Sequence, residues 1–139
     1  MARRLPRRRG YADESYDCTP CQPRAICITL APRLKLAADT VDANPGDGVA
    51  EDADGNTTLR AAIIEANALN EATDINLPAG TFTLTLTGAG DNESISGDLD
   101  IRSNITLAGA GADLTSIHGN GTDRVLNIFS DFTMRDVTI

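Results

Sequence analysis

From residue 74 onward, apolar and polar residues alternate in short runs separated by turns, and the runs return at fixed distances. Ile75 and Leu77 followed by Phe82, Leu84 and Leu86 form one set. Leu99 and Ile101 followed by Ile105 and Leu107 form a second; Val125, Ile128, Phe132, Met134, Val137 and Ile139 form a third. Phe82 to Ile105 and Leu84 to Leu107 are each 23 residues, and Ile105 to Phe132 and Leu107 to Met134 are each 27. Alternation places every second side chain on one face of a strand. A period in the twenties with two or three strands per unit is the mark of a solenoid, in which each strand pairs in parallel with its equivalent one repeat later. Inward Ile, Leu and Val then stack in columns. Antiparallel hairpins in a sandwich are the alternative. Gly88-Ala89-Gly90 and Gly109-Ala110-Gly111, expected after the same strand in successive repeats, favour the solenoid.

Ahead of the strands stands one helical pattern, residues 57–69. Leu59, Ala62, Ile63, Ala66 and Leu69 recur at the i, i+3, i+4, i+7 spacing of a single apolar stripe, with Arg60, Glu65 and Asn67 off it. Thr57 or Thr58 can cap the first turn through a hydroxyl, and Asn70 can close the last in a left-handed conformation. A helix in this position is expected to cover the first unit of the solenoid.

Aromatic residues make up 4% of the 139 and Trp is absent, so the core must come from Ile, Leu, Val and Ala. Charge divides the chain. Residues 1–37 hold 8 Lys+Arg against 3 Asp+Glu, whereas residues 38–139 hold 4 against 17. So acidic a body repels phosphate backbones, which argues against nucleic acid as a partner. No run approaches the length of apolar sequence that spans a membrane.

The basic segment opens with Arg3, Arg4, Arg7, Arg8 and Arg9, but no apolar stretch follows them as an export signal requires. Residues 1–33 are expected to be a disordered or atypical basic segment. Cys18, Cys21 and Cys27 all fall there, and Cys18-Thr19-Pro20-Cys21 has the spacing of half a zinc site or a redox pair without its second half. Alternating Ile26, Ile28, Leu30, Leu34 and Leu36, broken by Pro32, suggest a first strand.

Residues 39–56 form an acidic loop rich in turn residues, among them Asn44-Pro45-Gly46-Asp47-Gly48 and Asp54-Gly55-Asn56. Asp52, Asp54 and Asn56 occupy positions 1, 3 and 5 of an oxygen-ligand loop, the spacing that gathers side chains around Ca²⁺. These three residues are the candidate metal ligands and Ca²⁺ the candidate cofactor, but Thr57 and Ile63 replace the Gly and Glu that complete such a loop, which favours a solvated loop without metal. Arg60 is expected to pair with a loop carboxylate such as Asp52 or Asp54.

The run from Asp39 to Gly48 (DTVDANPGDG), with Thr58-Leu59-Arg60-Ala61-Ala62-Ile63, Glu65-Ala66-Asn67-Ala68 and Ile75-Asn76-Leu77-Pro78-Ala79-Gly80-Thr81-Phe82, resembles the CSLREA domain. That domain opens many bacterial right-handed parallel β-helix proteins of the pectin-lyase type, and the resemblance covers about residues 38–128. It implies a mainly β fold: the start of a right-handed parallel β-helix with an amphipathic capping helix at its N-terminal end. Residues 34–73 would be the cap and 74–139 the first coils, truncated within a longer chain. It also implies a secreted or cell-surface location, with extracellular polysaccharide or a surface partner within reach. Thr57 stands where the family pattern has its cysteine and Ala50 where a partner cysteine often lies. The acidic loop is therefore expected to lack a staple and to be loose.

An enzymatic reading needs paired carboxylates on an outer face. Asp98 and Asp100 alternate with Leu99 and Ile101 and so should point outward together, roughly 6–7 Å apart by strand rise. No catalytic constellation of Arg or Lys accompanies them. His118 beside Gly119-Asn120-Gly121 reads as a turn-flanking polar residue, and Asn56, Asn92, Asn104 and Asn120, in Asn-x-Ser/Thr patterns, read as turn residues. The sequence thus favours a non-catalytic structural module. A Ca²⁺-dependent adhesin or glycan-binding stalk and a fragment of a polysaccharide lyase or hydrolase are the alternatives.

Overall fold

The computed structural model describes residues 26–29, 38–121 and 124–139. The arginine run, Cys18, Cys21 and residues 30–37 of the expected first strand lie outside them. Within them, strands β1 (Ile26–Thr29), β2 (Thr73–Asn76), β3 (Gly80–Thr83), β4 (Leu99–Ile101), β5 (Ile105–Ala108), β6 (Thr115–His118), β7 (Leu126–Ile128) and β8 (Phe132–Arg135) accompany one helix, α1 (Leu59–Leu69). The fold is mainly β.

Every strand pairing is parallel, in a four-stranded sheet β1-β2-β5-β8 and two-stranded sheets β3-β6 and β4-β7. From β2 onward the chain visits the three sheets in one order and then repeats it, and Thr138 returns to the β3-β6 sheet through a parallel bridge to Ser116. Parallel pairing rules out the antiparallel sandwich.

The spacing of 27 is real. Ile105 pairs with Phe132 and Leu107 with Met134, and the same offset recurs between Leu99 and Leu126. The spacing of 23 is not: Phe82 pairs with Ile117, whereas Ile105 and Leu107 pair with Thr73 and Ile75. All the strands carry the same alternation, so spacing alone matched β3 to a strand of a different sheet. The two Gly-Ala-Gly runs likewise follow strands of different sheets, β3 and β5. Gly109 is required by close approach, because a Cβ there would lie 2.1 Å from the Asp136 carbonyl oxygen.

Thr58 caps α1, accepting the Ala61 amide at 3.1 Å, and Asn70 closes it with φ 51° and ψ 35°. Leu59, Ala62, Ile63 and Ala66 join Ile75, Phe82, Leu99, Ile101, Ile105 and Leu107 in one core. The helix departs from a simple stripe, because all eight residues from Leu59 to Ala66 are buried, Arg60 and Glu65 among them. Loops on both sides cover the face that the sequence left polar.

Candidate functional site

Two buried polar side chains, Arg60 and Glu65, fasten loops to α1, a third, Asp100, fastens the 91–97 loop to β4, and a groove lies between those loops. The first group is Arg60, wholly buried, whose Nε and Nη2 bond the two carboxylate oxygens of Asp39 at 2.5 and 3.1 Å. Its remaining donors reach the carbonyls of Ser94 (2.8 Å) and Gly97 (2.7 Å). Asp39 Oδ2 also accepts the amides of Thr85 and Leu86 at 2.6 and 2.8 Å. A buried charge is tolerated where its hydrogen-bonding capacity is filled, and the planar guanidinium suits a two-point grip on a carboxylate. The partner is a loop carboxylate as expected, but it is Asp39, the first residue of the acidic loop, in place of Asp52 or Asp54.

The second group is Glu65. Its Oε2 and Oε1 accept the amides of Gly46 and Gly48, each at 2.5 Å. These glycines have φ of +96° and +88°, the left-handed region open to glycine, which turns successive N–H groups inward as an anion-binding concavity. The acidic loop is thus held without a disulfide, contrary to the looseness expected of it. Asp42 lies against Glu65, and its Oδ2 is buried with no hydrogen-bond partner. Burial, together with the negative charge of Glu65, pushes the Asp42 carboxyl up to about 6 against the opposing bond from the Asn44 amide.

The third group is Asp100. It alternates out of the core as expected, but it is fully buried, as Asp98 almost is, because residues 91–97 fold over that face of β4. Asp100 accepts the Ser94 amide (3.0 Å) and Asn127 Nδ2 (3.0 Å), and the Ser94 hydroxyl accepts the Asp100 amide at 2.6 Å. Burial raises the Asp100 carboxyl above its ordinary range, with the charge of Asp98 adding to it. Ser94 holds φ 59°, a conformation costing on the order of 1 kcal/mol that this double bond offsets. Asp98 bonds Arg124 Nε at 2.8 Å. The exposed acid and base pair of the enzymatic reading is replaced by two anchored carboxyls.

The metal candidates share one turn. Asp52 accepts Thr40 Oγ1 (2.9 Å), the Asp54 amide (3.0 Å), the Asn56 amide (2.8 Å) and Asn56 Nδ2 (3.0 Å). Burial works against its ionisation, but these donors prevail and hold its carboxyl below the ordinary range. Asp54 is exposed. A cation here would have to displace the internal donors, and among the described residues no group of three His, Cys, Asp or Glu stands together as a metal site. His118 is exposed on β6, and its Nδ1 accepts the Asn120 amide at 3.1 Å.

The groove, of about 530 Å³, runs over the outer side of α1. Ile64 and Ala68 floor it, Val41, Asp42 and Pro45 form one wall, and Ile95 with the Glu93–Arg102 ion pair forms the other. Nothing in the sequence marked it, since its walls come from loops 50 residues apart that α1 brings together. Among the described residues no helix is long and apolar enough to cross a membrane. No family model, curated protein or solved structure matches the chain.

Proposed function

We propose that this chain is a non-catalytic structural module, the capped N-terminal end of a right-handed parallel β-helix akin to the CSLREA-opened proteins. The observation that carries the reading is the cyclic order of the three parallel sheets, which is what a coil with three strands per turn produces. Parallel crossovers are almost always right-handed, which supports the hand. A solenoid needs its terminal unit closed by something other than another repeat, because an open end exposes apolar columns and unpaired edges. Helix α1 packs Leu59, Ile63 and Ala66 on the first strands, and Arg60 on Asp39, Glu65 on the Gly46 and Gly48 amides and Asn67 Nδ2, which donates to the Asp100 carbonyl at 2.7 Å, hold it there.

The module belongs, in this reading, to a secreted or cell-surface protein with further coils. Support comes from Cys27, which is disulfide-bonded, a state that persists in oxidising compartments. Calcium separates the structural reading from a Ca²⁺-dependent adhesin. A ligand that binds only the folded form raises its melting temperature in proportion to the logarithm of its concentration. The structural reading expects the same Tm in EDTA and in millimolar CaCl₂; a rise that grows with the logarithm of the CaCl₂ concentration and is abolished by Asp52→Asn would favour the adhesin.

A further inference from the structure

We propose that Asp42 and Glu65 form a proton-operated latch, closed when Asp42 is protonated and loosened when it ionises, which holds the 42–48 loop on helix α1. The geometry is a cluster of two carboxyls between a helix and a loop. Glu65 is fully buried, and both its oxygens are engaged by loop amides. Asp42 is only 6% exposed; its Oδ1 accepts the Asn44 amide at 2.8 Å, and its Oδ2 has no donor. Two carboxylates in such contact repel, and the one with fewer donors is the one that must move toward water.

With a proton on Asp42, that orphan oxygen becomes a donor to Glu65 and the pair becomes a hydrogen bond. The other charged groups near Asp42 do not relieve the repulsion. Asp47, in the same loop, adds negative charge, and across the groove Glu93 is paired with Arg102, so the one cation among the described residues lining the groove is already engaged. Loosening is also directed, because Val41, Asp42 and Pro45 form one wall of the groove, and movement of the loop changes its width.

The sign follows from linkage. A carboxyl whose folded pKa is raised stabilises the closed loop at low pH, and that contribution is lost as pH rises through about 6. The test is amide hydrogen exchange on the whole chain at about pH 5 and about pH 7.5, read as protection factors of the Gly46 and Gly48 amides relative to core strands. The wild type should lose up to about tenfold of that protection at the higher pH, and Asp42→Asn, whose amide can donate to Glu65 at any pH, should lose none. Equal protection at both pH values in the wild type, or a parallel loss in the variant, overturns the latch. Should the variant not fold, the carbon-13 titration of the Asp42 carboxyl in the wild type decides, since its midpoint must coincide with the loss of protection.

Discussion

Strands β4 and β7 are neighbours in register and nearly the same in pattern, yet they live in different environments. Leu99, Asp100 and Ile101 are all buried, whereas Leu126 and Asn127 are half-buried and Ile128 is 53% exposed. The same contrast separates β5 from β8: Ile105 and Leu107 are inaccessible, while their partners Phe132 and Met134 are not. Alternation decides which side chains point inward. What covers them decides how much that is worth. On the β4 and β5 side, α1 and the 85–98 loop supply the cover; around β7 and β8, Ile128, Phe129 and Ile139 are more than half exposed.

The largest effect expected from breaking this contrast is at Arg60. Arg60→Ala would leave Asp39 as an uncompensated buried charge and free the carbonyls of Ser94 and Gly97, a loss of about 3–5 kcal/mol in urea denaturation. An unchanged melting temperature would mean that the ion pair does not hold the cap. A smaller and more discriminating effect comes from matched truncations. Leu99→Ala should cost about 2–5 kcal/mol, as for other fully buried leucines, while Leu126→Ala, in the same column, should cost less than half as much. Equal losses would erase the distinction between the two regions.

Much of this was readable in the sequence, for reasons that can be named. The ends of α1 were marked by residues with one local task, Thr58 as acceptor of an amide and Asn70 in a left-handed turn, so neighbours in sequence sufficed. The 27-residue register was readable because β4, β5, β7 and β8 keep their internal spacing. The pairing of β3 was misread because residues 84–98 make a longer excursion to wrap Arg60, and length in a loop leaves no periodic trace.

Long-range polar partners were not readable. Arg60 had several carboxylates within reach by sequence, and the one it uses is 21 residues away. Glu65 sits on what reads as the solvent face of the helix; it is buried because Gly46 and Gly48 can turn their amides toward it. The glycines announced a turn and nothing about what it encloses.

The central claim is that α1 and its polar anchors seal one end of a stack of parallel strands. Residue-resolved amide hydrogen exchange of the wild type beside Arg60→Ala tests it most directly. The account predicts that α1, β4 and β5 exchange slowest in the wild type and β7 and β8 faster, and that the variant loses protection first at Thr85 and Leu86, whose amides Asp39 accepts. Uniform protection across all the strands, with Thr85 and Leu86 unaffected by the substitution, would contradict it.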